Sequence, residues 1–404
     1  MHNPLAVEPL TVPHGLRGLF NRIEAHGPTG QRLEAFIEDA FHALKAELRL
    51  VGVSVYAERR DGFELRKHLG EPLEALADQI PPSCAALRPV LQHRVYIFAD
   101  PHQEGSPWNA RILPCWPTAG VVVGRRPHRH ILFFLLDRGW IREHVDFALN
   151  VLRAALGLEL LEERVQINLR EAAEIQESLL REEPPSFPGF EIACRSIPAE
   201  EVSGDFCDFV HVGSDVVGFA VGDASGHGLP AALLVRDVVT GLRMGFEKHL
   251  RMEYVFSKLN RVIHRSNLSS RFVSVFYGEL ESNGNLTYVN AGHQPPLLFR
   301  KDRVLELRMG GTVIGPLPEV YFRRGFVRLE PGHTLVSFTD GVVERKGPGN
   351  DFFGEDRLKL LVQANTGASA GELVDLIFDT ALAYGDGRPW DDDVTAMVVR
   401  RPEE

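Results

Sequence analysis

The chain has 404 residues, 44% of them hydrophobic and 25% charged, a balance typical of globular proteins and a length that predicts more than one domain. With 44 Lys and Arg against 55 Asp and Glu the net charge is −11, which argues against a nucleic-acid partner, because phosphate backbones are held by basic side chains. The longest apolar run, Ile131 to Leu136, falls far short of the ~20 residues of a membrane helix, and Met1 to Pro13 lacks a secretory pattern, so a cytoplasmic protein without a membrane partner is expected.

Gln31 to Leu50 carries Leu33, Phe36, Ile37, Ala40, Phe41, Leu44 and Leu48 at helical spacing. Strand-like runs follow at Val51–Ala57, Phe63–His68, Arg94–Ala99, Ala119–Gly124 and His130–Leu136, with a hairpin turn at Asp61-Gly62. A helix, antiparallel strands and an exit helix from near Trp140 make an α+β layout for residues 1–140. In outline it resembles GAF/PAS-type sensor domains, which implies an unknown small-molecule or protein signal. Residues 141–183 read as a helical linker, one or two helices interrupted near Gly157. Leu161, Val165, Leu169, Ala172, Ile175 and Leu179 form a narrow stripe with charged flanks, as in a coiled coil that makes a homodimer. An amphipathic helix packed on its own domain is the other reading. Glu182 to Gly189, with three prolines, ends the helix.

From Phe190 onward strands are expected at Glu191–Ile197, Phe206–Val212, Val216–Gly222, Phe272–Leu280, Leu286–Asn290, Leu297–Arg300, Phe326–Leu329, Thr334–Thr339 and Val394–Arg400. Paired helices at Pro230–His249 and Tyr254–Ser266, and at Asp356–Gln363 and Ala370–Ala383, suggest a two-sheet sandwich covered by helices. Cys84, Cys115, Cys194 and Cys207 are scattered and form no C-x-x-C pair, so neither a zinc site nor a disulfide framework is expected.

Four carboxylates share a setting. Asp205 follows Ser203-Gly204, Asp223 ends an apolar strand before Gly226-His227-Gly228, Asp340 ends the strand that runs from Thr334 through Thr339, and Asp392 lies in Asp391-Asp392-Asp393 before the last strand. One such Asp is usually a turn residue. Four at strand ends, if they converge, need a cation between them, and oxygen-only ligands favour Mg²⁺ or Mn²⁺ over Zn²⁺. Gly226-His227-Gly228-Leu229-Pro230-Ala231 also fits a dinucleotide fingerprint, but a second helix rather than a βαβ unit follows. There is no P-loop, and no Cys precedes Arg by six residues as a cysteine phosphatase would require. His227 and His293 each follow a glycine and can either brace the loop or bond substrate; bracing is the expectation.

Gly204-Asp205-Phe206, the run Val221 to Ala232 around Gly222-Asp223-Ala224-Ser225-Gly226-His227-Gly228, Asn290 to Pro296, Thr339-Asp340-Gly341 and Asp392-Asp393-Val394-Thr395 occur in order. Together they resemble the SpoIIE/RsbU branch of the PPM Ser/Thr protein phosphatases over residues 190–401. The resemblance implies an α-β-β-α sandwich with two Mn²⁺ or Mg²⁺ ions. Asp223 would bridge them, the Ala224 carbonyl would join one, Asp340 and Asp392 would complete the other, and Asp205 would hold the Ala224-side ion directly or through water. The Asp391–Asp393 run leaves the ligand register open by one residue. Such ions can acidify a water that attacks phosphorus in line; His227 or a water would protonate the leaving alkoxide. The implied function is dephosphorylation of a STAS-domain anti-anti-sigma factor under control of the sensor domain. The alternative is a catalytically quiet regulator that binds phosphoproteins.

Overall fold

A computed structural model describes residues 32–71, 76–85, 87–98, 118–180, 183–213, 215–246, 250–266 and 271–403. Met1–Pro13, Cys115, residues 181–182 of the expected linker, and the ends expected at Gln31, Ala99 and His249 lie outside them. The chain divides into two compact units, Met1–Ile167 and Asn168–Glu404. No helix among the described residues is long and apolar enough to cross a membrane.

In the first unit, β1 (Leu50–Arg59), β2 (Gly62–Gly70), β3 (Gln79–Ile80), β4 (Val95–Ile97), β5 (Thr118–Val123) and β6 (His130–Leu136) form one antiparallel sheet in the order β3-β2-β1-β6-β5-β4. The hairpin turn falls where Asp61-Gly62 placed it: Arg59 pairs with Gly62, whose φ is +142°. Helix α1 (Arg32–Leu48) packs Ile37, Phe41 and Leu44 onto Val53, Val55, Leu132 and Phe134. Val145, Leu149, Leu152 and Leu156 of α3 (Arg142–Leu180) join that face. On the other face Tyr56, Phe63, Ile131 and Phe133 surround Leu87 and Val90 of the short helix α2 (Leu87–His93), which has too few residues to show a period. Helix α3 runs unbroken through Gly157, where a Cβ would meet nothing within 4 Å. A single glycine costs a helix only about 1 kcal/mol.

The second unit holds two sheets. One runs β14 (Gly310–Gly311), β11 (Asn285–Ala291), β10 (Val273–Glu281), β9 (Val216–Ala224), β8 (Asp205–His211), with β15 (Gly325–Arg328) also on β11. The other runs β13 (Val304–Glu306), β12 (Leu297–Phe299), β16 (Thr334–Phe338), β17 (Val394–Arg400), β7 (Glu191–Ile197). Three apolar clusters order the layers. Val235, Val238 and Leu242 of α4 (Leu229–Phe246), with Phe256 and Ile263 of α5 (Met252–Arg265), cover Phe206, Ala220 and Val275 of the first sheet. Phe209, Phe219 and Phe276 meet Leu298, Leu335 and Met397 between the sheets. Phe338 and Val398 of the second sheet meet Leu358 of α7 (Gly354–Ala364) and Leu373, Ile377 and Phe378 of α8 (Ala370–Tyr384). Each fully buried Leu or Phe contributes roughly 2 kcal/mol by leaving water. Helix α8 begins with a capping box, Ser369 and Glu372 bonding each other's backbone N–H.

The cysteines depart from expectation. Cys194 on β7 and Cys207 on β8 are joined as a disulfide. Both strands are sheet edges, so the two residues meet across the interface. Their separation of 13 residues carries no signature of that meeting. Cys84 is free and half-buried.

Candidate metal centre

Strand pairing brings the first carboxylates together. Asp205 opens β8 and pairs with Asp223 on β9, which pairs on its other side with Ser274 on β10. The Ala224 N–H donates to the Gly204 carbonyl at 2.9 Å. A Cβ on Gly204 would lie 3.0 Å from the Ala224 oxygen, so glycine keeps that buried carbonyl uncrowded. From the second sheet, Thr339 Oγ1 donates to Asp205 Oδ2 at 2.6 Å and accepts from the Thr395 N–H at 2.9 Å. Asp340 does not end a strand but begins the short helix α6 (Asp340–Val343). Any Cβ on Gly341 would collide with the Asp393 carbonyl, so glycine is what lets α6 start against the Asp391–Asp393 run.

These carboxylates share one field. Burial, then Asp340, Asp392 and Asp393, push the Asp223 carboxyl up to about 7. Burial first, then Asp223, raise Asp205 well above the usual carboxylate range, with the Thr339 hydroxyl pulling the other way. Asp340 is raised by burial, then by Asp392 and Glu344. Among the described residues no group of three or more His, Cys, Asp or Glu side chains stands close enough, as placed, to enclose an ion. The chemistry of the donor set does fit a hard divalent cation: the groups are oxygen donors, and a cation relieves the repulsion that, after burial, raises their pKa values.

The three neighbouring aspartates differ. Asp393 is buried and accepts from the Ala199 N–H at 2.8 Å and the Gly204 N–H at 2.6 Å, one on each oxygen. Asp391 is exposed, 3.7 Å from Arg345. Asp392 is exposed and accepts the Asp393 N–H on Oδ1.

The loop after β9 turns at Gly226 (φ +86°) and Gly228 (φ +72°), conformations that L side chains rarely adopt. Arg271 crosses it, donating from Nη1 to the Ser225 carbonyl at 3.1 Å. His227 projects outward, 78% exposed, with Nδ1 3.0 Å from Glu200 Oε1. His293 is buried instead, its Nδ1 sharing a hydrogen bond with Ser274 Oγ at 2.9 Å. Burial lowers its pKa to about 4, against an opposing pull from the Phe338 carbonyl, so it is neutral at ordinary pH.

Several contributors escaped sequence reasoning. Thr339 and Thr395 stand inside quoted motifs, and a hydroxyl in an otherwise apolar buried strand is a usable signal. Gln176 is harder to find. It shares a helix face with Ala172 and Leu179 and is buried, and its amide clamps Ser203 twice: Nε2 donates to the Ser203 carbonyl at 2.6 Å, and Oε1 accepts the Ser203 N–H at 3.1 Å. Ser203 Oγ in turn accepts the Asp205 N–H at 3.0 Å. Nearby, Arg243 bonds both oxygens of buried Asp208 and the Leu179 carbonyl. Gln176→Ala strands a buried N–H and carbonyl, so a loss of roughly 2 kcal/mol by denaturant titration and a drop in activity of about tenfold or more are expected. Full activity in that variant would show that the clamp does not hold Asp205 in place.

A family model described as stage II sporulation protein E (SpoIIE) matches residues 213–402. The phosphoserine phosphatase RsbU of Bacillus subtilis is 30% identical over 244 residues, covering 60% of this chain and 72% of RsbU. Protein IcfG of Synechocystis is 27% identical over 282 residues, covering 62% of this chain; the chain spans only 44% of IcfG's length. Among solved structures, the SiaA PP2C domain of Pseudomonas aeruginosa matches with a TM-score of 0.53 at 21% identity, covering 59% of this chain and 98% of that domain, a likeness of fold. The chain therefore belongs to the SpoIIE/RsbU-type family of PPM protein phosphatases.

Proposed function

We propose that the chain hydrolyses phosphoserine or phosphothreonine on a protein, with two Mn²⁺ or Mg²⁺ ions held in an α-β-β-α sandwich by Asp205, Asp223, the Ala224 carbonyl, Asp340 and Asp392. The observation that carries this reading is the pairing of Asp205 with Asp223 on neighbouring strands, where burial and then the field of Asp340, Asp392 and Asp393 push the Asp223 carboxyl up to about 7. Among residues 391–393, Asp392 is favoured as the ligand because Asp393 has both oxygens committed to backbone N–H groups. When bound, the ions supply Lewis acidity to the phosphate oxygens and to an attacking water. His227, exposed beside Glu200, is the candidate proton donor to the leaving Ser or Thr oxygen. The Gly226 and Gly228 turns keep the backbone beside Asp223 open to a phosphorylated loop.

The substrate we infer is a phosphorylated STAS-domain anti-anti-sigma factor, supported by the likeness to RsbU, named a phosphoserine phosphatase. Residues 1–140 would act as a GAF/PAS-like sensor for a small molecule or protein, and residues 141–183 as a linker. Leu158, Leu161 and Val165 on α3 are all about half exposed or more, which supports a homodimer through this stretch. Light scattering should then give twice the chain's mass; a monomer at micromolar concentration would remove that part of the reading.

The phosphatase reading is tested by turnover of p-nitrophenyl phosphate and of a phosphoserine STAS protein with Mn²⁺, with Mg²⁺ and with EDTA. Hydrolysis that requires the ion is expected. The quiet phosphoprotein-binding regulator is the alternative. It predicts binding of the phosphoprotein without turnover under every ion.

A further inference from the structure

Arg345 lies just past α6, the helix that Asp340 begins, and its side chain is 2% exposed. A buried guanidinium is costly unless its donors are used. Nη1 donates to the Pro389 carbonyl at 2.6 Å, and Nη2 donates to the Arg388 carbonyl. The Trp390 ring lies 4.8 Å from its Cζ, and Asp391 Oδ2 lies 3.7 Å from Nη1. Four consecutive residues, 388 to 391, thus wrap one cation, and the next residue is Asp392. Gly385 provides the space, because a Cβ there would collide with the guanidinium. Arg388 returns the contact, donating from Nη2 to the Lys346 carbonyl at 3.0 Å and from Nε to the Gly385 carbonyl at 3.0 Å. Trp390 is held edge-on against Phe378 of α8, ring centres 6.1 Å apart.

This segment has no regular structure of its own. Asp386 and Gly387 take positive φ, and no strand forms before Val394. At its far end Thr395 bonds Thr339, so the Asp391–Asp393 run is fastened to the α6 region on both sides.

We propose that Arg345 is a positioning residue that sets the place of Asp392 relative to Asp340 and thereby the affinity of the centre for its divalent ion. It acts through backbone carbonyls and Trp390, not by touching the ion. This rests on the metal-centre reading above. Lysine keeps the charge and can donate to carbonyls, but it lacks the planar fork that fits the Arg388 and Pro389 carbonyls and the flat face that lies on Trp390, so it should rescue only in part.

The test uses the full chain and reads Mn²⁺ binding by titration calorimetry beside p-nitrophenyl phosphate turnover. Arg345→Met should weaken Mn²⁺ binding about tenfold or more, the scale of supporting contacts around metal ligands, and Arg345→Lys by less. Saturating Mn²⁺ should restore most of kcat in both. Leu358→Ala, in the apolar cluster under α7, serves as a control that lowers stability and should leave Mn²⁺ affinity unchanged. If Arg345→Met does not fold, Arg345→Lys carries the comparison. Wild-type affinity in the Arg345 variants, or an equal loss in Leu358→Ala, overturns the proposal alone. Absence of Mn²⁺ binding by the wild type overturns the metal centre and this proposal with it.

Discussion

Asp223→Asn is expected to lower phosphatase activity by a factor on the order of 10²–10³ or more, and to make the ion-free protein more stable at neutral pH. The two effects have opposite signs for one reason. Burial first, and then the like charges of Asp340, Asp392 and Asp393, raise the Asp223 carboxyl to about 7. In the unfolded chain an Asp titrates near ~4. Between these values the folded state binds the extra proton, so stability falls as pH rises from about 4 to about 7 and the penalty is complete above that. A shift of this size corresponds to roughly 2–4 kcal/mol. Asparagine keeps the shape and removes the charge. In EDTA its advantage in Tm should therefore be present at pH 8 and vanish near pH 4. A variant less stable than wild type at pH 8 would mean that Asp223 is held by contacts that favour its charged form. Activity at saturating Mn²⁺ tells the other half: an active Asp223→Asn enzyme removes the residue from the centre.

Thr339→Val should be the most damaging change among the residues that support the carboxylates. Valine matches threonine in shape, so packing is kept while two buried hydrogen bonds are lost. The Asp205 carboxyl loses the hydroxyl it accepts from, and the Thr395 N–H loses its acceptor. Leaving such groups unpaired costs about 2–4 kcal/mol in total. The Asp205 carboxyl should also move further up, because of the two side chains that lower it, Thr339 and Thr395, the Thr339 hydroxyl has the larger effect. The acidic limb of the pH–activity profile would then shift to higher pH. Thr339→Ser should restore both, since it returns the hydroxyl. A Thr339→Val protein with wild-type stability and pH profile would show that the cross-sheet bond contributes little.

Much of this was legible because it is local. Alternation and apolar runs place most strands from Glu191 to Arg400 within one or two residues. The candidate carboxylates stand out in the sequence because each lies beside a strand end, most of them next to a glycine. What stayed hidden is tertiary or very short. Strands β3, β13 and β14 have two or three residues each, fewer than a period can show. In sequence Asp340 closes a strand, whereas in the structure it starts a single helical turn that only the approach of Asp393 explains. The Cys194–Cys207 bond depends on two sheet edges meeting, which spacing does not encode. Gln176 and Arg345 read as ordinary helix and loop residues. Their importance comes from backbone groups at Ser203, Arg388 and Pro389, and backbone partners leave no pattern in side-chain identity.

The most direct test of the central claim is release of phosphate from a phosphoserine protein by the full chain as Mn²⁺ is added back after EDTA, with Asp223→Asn alongside. The account predicts turnover that rises from baseline with Mn²⁺ in the wild type and stays at baseline in the variant. Turnover that persists in EDTA, or that Asp223→Asn retains, would contradict it.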